Sequence, residues 1–158
     1  MNWTELKEKV YYWDGSWCDI YILRTSLEYN EKWTDYVNEN YRIEWFNALT
    51  QADENRISFD VIKEFWNGNQ DLCSTAKVFI DEVQINNHFF TDTEIENDID
   101  PREINSMEDH ESVIKYMTDL SKLLDKPLIL TPENEQETIL IIVSKNQVAY
   151  SENIDLNK

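Results

Sequence analysis

Apolar residues in this chain recur in short alternating runs, interrupted by helical stretches, and the two periods never settle into a regular strand–helix–strand alternation. That order constrains the fold more than any other feature. A doubly wound parallel sheet needs the regular alternation. Runs of strands grouped between helices instead predict an α+β domain with a mostly antiparallel sheet packed against two or three helices. The length of 158 residues suits a single domain with one core.

The individual runs follow from their spacing. Thr4–Lys9 reads as a short helix. Val10–Trp13 and Ser16–Leu23 flank Asp14-Gly15, the strongest local signal for a hairpin, because a type I′ turn needs positive φ at both central positions. In the second run Cys18, Ile20 and Ile22 alternate with Asp19, Tyr21 and Leu23, as in a strand covered on both sides. Thr25 followed by Glu28 suggests a capping box for a helix through Trp33 and Val37 that stops at Asn38–Asn40. Tyr41–Leu49 reads as a strand, 51–55 as a polar turn, and Ser58 as the cap of a helix Phe59–Trp66 stopped by Gly68. Val78 and Ile80 shift phase against Val83 and Ile85 at Asp81-Glu82, which implies a turn or bulge. Ser106 or Asp109 opens the clearest helix, with Val113, Met117, Leu120 and Leu124 as its stripe and Lys126-Pro127 as its end. Strands follow at 128–130, 138–143 and 147–150, and a frayed tail from about residue 151. With two Gly in the chain, Asn is expected to supply the remaining positive-φ positions.

Charge bounds the function. Thirty-two acidic residues against 14 basic give a formal net charge of −18, a field that repels nucleic acid and anionic membranes and steers basic proteins inward. No apolar run approaches the ~20 residues of a membrane-spanning helix, and the first residues lack a basic stretch followed by an apolar one. Two cysteines, Cys18 and Cys73, make no disulfide framework and point to a reducing, cytoplasmic setting.

Chemical motifs are sparse. His88 and His110 have no second His or Cys at zinc-ligand spacing, and both read as ordinary polar residues. Gly15 and Gly68 are isolated, so no phosphate-binding loop exists, and no nucleophile elbow is present. No cofactor is expected and the chain is expected to act by binding rather than catalysis. Nine acids against a single Arg102 crowd residues 92–111, where an irregular segment is expected. Asp92, Glu94, Glu96, Asp98 and Asp100 fall at every second position, without the glycine and terminal bidentate acid of a calcium loop. In a strand they would form one carboxylate face, with Ile95, Asn97 and Ile99 opposite. Such a face is either simply solvated or, with Glu103, a docking surface for the Lys and Arg of a basic protein partner, and the docking role is the one expected. Trp13 and Trp17, bracketing Asp14, would add an aromatic anchor at the hairpin tip.

An acidic, Trp-rich domain of this kind, with the stretches YYWDGSWCDIYIL (11–23) and HFFTDTEIENDIDPREI (88–104), resembles the immunity proteins of bacterial toxin–immunity systems. The resemblance implies stoichiometric occlusion of a basic toxin domain by the acidic stretch. The competing classes are an enzyme or small-ligand protein whose pocket is assembled from distant residues, and a housekeeping adaptor whose acidity serves solubility.

Overall fold

The computed structural model describes residues 1–151. Four α-helices, α1 (Trp3–Lys9), α2 (Leu27–Asn40), α3 (Phe59–Trp66) and α4 (Met107–Leu124), accompany nine strands. The strands are β1 (Cys18–Leu23), β2 (Arg42–Asn47), β3 (Ala52–Glu54), β4 (Ala76–Ile80), β5 (Val83–Asn87), β6 (Glu94–Ile99), β7 (Leu128–Pro132), β8 (Ile141–Ser144) and β9 (Gln147–Tyr150). They form one sheet in the order β3-β2-β4-β5-β6-β1-β7-β8-β9, every pairing antiparallel. The chain is an α+β domain.

Register sorts the side chains onto two faces, because neighbours across a ladder project to the same side. One row runs Trp45, Ala76, Asn87, Asn97, Ile20, Leu130, Ile141 across seven strands. These residues are buried, and the apolar ones join Leu6, Trp33, Val37, Ile62, Met117 and Leu120 of the helices in one core cluster. α4 packs on β4, β5, β7 and β8, and α2 on α4 and β2. The helices' buried apolar residues all belong to that cluster, so among the described residues the opposite face of the sheet carries no helix. Tyr21 and Ile129 are the buried hydrophobics that lie outside it, on that opposite face, among the described residues.

Several expectations are corrected. The Asp14-Gly15 hairpin does not form: residues 10–17 make a loop, with Gly15 at φ +97° and Asp14 Oδ1 accepting from Ser16 N–H at 3.0 Å. Both edges of β1 are already taken, by β6 and β7, and Val10 and Tyr11 are buried in the core instead. The capping box appears not at Thr25 but at Asn2, which exchanges hydrogen bonds with Glu5, while Thr25 Oγ1 donates to the Asp92 carbonyl at 2.7 Å. The acidic stretch is not irregular, since β6 is a regular strand near the middle of the sheet with Ile95, Asn97 and Ile99 buried. A one-sided core tolerates carboxylates at the alternate positions. The polar turn at 51–55 contains the short edge strand β3. Positive φ falls at Arg24, Gln51, Asp81, Phe89, Asp125, Asn134 and Lys145, so Asn supplies one of these seven positions. The expected tail lies, beyond Ser151, outside the described residues.

Candidate binding face

The helix-free face carries a polar row set by the same registers: Glu44, Lys77, Asn86, Asp98, Asp19 and Thr131, one from each of six adjacent strands. Beside it Glu96 pairs with Tyr21, and Glu94 with Leu23. Three of the nine residues expected to bind a partner, Glu94, Glu96 and Asp98, therefore stand side by side on this face, half-buried.

Hydrogen bonds organise the patch. Asp98 accepts from Asn86 Nδ2 at 2.8 Å on one carboxylate oxygen and meets His88 Nε2 at 2.7 Å on the other. His88 Nδ1 lies 2.8 Å from Thr75 Oγ1. The exposed Phe90 ring sits 5.3 Å from the imidazole, centroid to centroid. The hydrogen bond to Asp98 holds His88 above the usual histidine range, against the opposing effect of burial. Tyr21 donates its hydroxyl to Asp19 Oδ2 at 2.9 Å and lies 3.4 Å from Glu96 Oε1. One phenolic proton cannot fully serve two carboxylates. Burial raises Asp19, although the Asn134 N–H and the Tyr21 hydroxyl pull it back. Glu96 is raised by burial first and by the charge of Asp19 second. Asp19 is 3% exposed because the β7–β8 loop folds over it, with Asn134 N–H donating to Asp19 at 2.7 Å and Gln136 donating to Glu94 at 3.0 Å.

Two depressions flank the row. A groove of about 1010 Å³ runs along β2, β3 and the start of β4, lined by Phe46, Asp53, Arg56, Thr75 and Lys77 among others. A smaller one of about 350 Å³ is lined by Tyr21, Glu94, Glu96, Asn134, Gln136 and Glu137.

The other expected residues lie elsewhere. Asp92 precedes β6, and its carbonyl, not its carboxylate, holds Thr25 and the Asn30 amide. Asp100 is buried and chelates Arg102 through both carboxylate oxygens, at 3.0 and 2.9 Å, and that bond holds it below the usual carboxylate range. Its charge is already matched. Glu103 is exposed in a 3-10 turn. Trp13 is 46% exposed with the Arg102 guanidinium stacked 3.9 Å above its ring, so it belongs with Asp100 and Glu103 rather than with a hairpin tip. Asp14 is exposed in the same loop, and Trp17 is half-buried in a cleft beside Pro132 and Glu133.

The sequence reading missed two adjacent hydrogen-bonded clusters on this face, Thr75–His88–Asp98 and Asp19–Tyr21–Glu96, and cross-strand register is the signal that brings the members of each together. It also read His110 as ordinary. That ring is 3% exposed, with Nδ1 2.7 Å from the Tyr11 hydroxyl and Nε2 2.9 Å from that of Tyr150. Burial foremost pulls its pKa down to about 4. Among the described residues, no group of three or more His, Cys, Asp or Glu is arranged to hold a metal ion, and no helix is long and apolar enough to cross a membrane.

No family model matches the chain, and no curated protein or solved structure matches it at a significant level.

Proposed function

We propose that this chain is a protein-binding domain that docks a basic partner on the helix-free face of its sheet, in the manner of an immunity protein occluding a toxin. The observation that carries this reading is the placement of Glu94, Glu96 and Asp98 side by side on one rigid, half-exposed face of a chain with net charge −18. Side chains fixed on a sheet lose little freedom on binding, so their charges are preorganised for Lys and Arg. The surrounding field steers the encounter and fixes the partner's sign. Phe46 and Phe90, both exposed on or beside this face, supply apolar area at its margins. Both cysteines are free, Cys18 buried and Cys73 exposed, which suits a reducing cytoplasm.

The test is capture of a partner by the immobilised full chain from extracts of the source organism, followed by binding measurements on the purified pair. The expected partner is basic, its association slows steeply as salt rises, and the double charge reversal Glu94→Lys with Glu96→Lys abolishes binding. Trp13→Ala, remote from the face, is the comparison and leaves binding largely intact. Affinity that ignores both salt and the reversal would overturn the reading.

A further inference from the structure

We infer that Thr75 is an activated nucleophile, the hydroxyl end of an Asp98–His88–Thr75 relay that opens on the groove along β2–β4 and hydrolyses carboxylic esters. The relay is assembled from three strands that the registers hold together: Thr75 immediately precedes β4, His88 immediately follows β5, and Asp98 lies within β6. Hydrogen bonds of 2.7 Å (Asp98 to His88) and 2.8 Å (His88 to Thr75) meet the requirement that a nucleophile touch its base and the base be oriented by a third group.

The direction of the relay follows from its acceptors. In the neutral imidazole one nitrogen carries the proton and the other accepts. Asp98 also takes the Asn86 amide, so it acts here as an acceptor, and the imidazole proton sits on Nε2 facing it. In the neutral ring Nδ1 is thereby left to accept, and the hydroxyl bonded to it is the donor. That is the proton arrangement of a general base poised over a nucleophile. Other threonines here behave differently. Thr25, Thr34 and Thr131 each donate to a main-chain carbonyl, at 2.7 to 2.8 Å, the ordinary local use of a threonine hydroxyl. Thr75 points instead to an imidazole, on the wall of a groove that also holds Lys77 and Arg56. Neither cation is in an ion pair among the described residues, and both can face negative charge developing on a carbonyl oxygen.

The chemistry balances without any further reagent but water. Thr75 Oγ1 attacks the ester carbonyl carbon and gives its proton to His88 Nδ1. The bond to the leaving alcohol breaks, and the alcohol departs with that proton. Water then attacks the acyl-Thr75 ester, its proton passing through His88 to the threonine oxygen, and the carboxylic acid is released. The net reaction is ester plus water to acid plus alcohol.

The assay uses the full chain and p-nitrophenyl acetate, and it needs no protein partner, so it can fail independently of the docking reading. Cys73 is an exposed free thiol two positions away that would itself be acetylated, so all measurements are made in the Cys73→Ser chain. The expected result is turnover with an acetyl group trapped on Thr75 in the mass spectrum. Thr75→Ser keeps activity, while Thr75→Val and His88→Gln each lose about 100-fold, the usual contribution of a positioned base. Melting curves check that each variant folds, and if Thr75→Val does not, His88→Gln and the site of acetylation decide. A Cys73→Ser chain no faster than its His88→Gln form, or acetyl found only on lysines or the N-terminus, overturns the proposal.

Discussion

Tyr116 offers a sharp test of how the core is held. Its hydroxyl accepts from Trp33 Nε1 of α2 at 2.9 Å and donates to Asn97 Oδ1 of β6, so one oxygen ties two helices to the centre of the sheet. Trp33 and Tyr116 are fully buried and Asn97 nearly so. Tyr116→Phe removes the oxygen while leaving the ring, creating little cavity. It strands the Trp33 N–H, and it takes the donor away from Asn97 Oδ1, on a side chain whose Nδ2 already has no hydrogen-bond partner among the described residues. Each buried polar group left unpaired costs about 1–3 kcal/mol, giving about 2–6 kcal/mol in all. For a domain of this size that corresponds to a fall in Tm of about 4–24 °C. Urea unfolding followed by tryptophan fluorescence, with calorimetry alongside, measures it. The double mutant Trp33→Phe with Tyr116→Phe should cost clearly less than the sum of the two single changes, because the donor and its acceptor leave together. A Tyr116→Phe loss below about 0.5 kcal/mol at unchanged m-value would refute the idea that this oxygen carries two satisfied bonds.

Two further outcomes concern pH. His110, with its pKa near 4 in the fold and about 6.5 when unfolded, stays neutral while the unfolded chain takes up a proton. As pH falls from about 6.5 to about 4 the fold therefore loses on the order of 3 kcal/mol through this ring, and nothing above that window. NMR should show a His110 ring that does not titrate between pH 5 and 8, and His110→Gln should flatten the acid limb of the stability curve. Glu96 has the opposite sign: its pKa is raised in the fold, so its contribution improves as pH drops. Glu96→Gln should raise the Tm at pH 7 and gain less at pH 4, and an equal gain at both would count against strain at the Asp19–Tyr21–Glu96 trio.

What was legible in the sequence was local. Ser106 caps α4 by accepting from the Asp109 N–H, Gly68 ends α3 at φ +112°, and β4 and β5 turn at Asp81-Glu82, each as its own residues dictate. The alternation of Ile95, Asn97 and Ile99 with carboxylates was visible too, but the density of charge argued for an irregular segment, because nothing local says that the sheet is covered on one side alone. The Asp14-Gly15 signal failed for the complementary reason: it competes with two distant strands that claim β1 and with a core that claims Val10 and Tyr11. Positive φ at Arg24, Phe89 or Lys145 is imposed by the path between strands at a cost these side chains do not advertise. The candidate site was the least legible part, since Thr75, His88 and Asp98 meet only through register.

The position of β1 has a consequence for how the molecule is made. The strand formed by Cys18–Leu23 leaves the ribosome before its neighbours, Glu94–Ile99 and Leu128–Pro132, so both of its ladders wait on chain synthesised later. Until then an apolar segment with two unpaired edges is available to any other nascent chain nearby. Loops this long close slowly. Premature stops before Leu128 should therefore yield insoluble fragments rather than smaller folded ones, a difference that fractionation of the truncated chains would show.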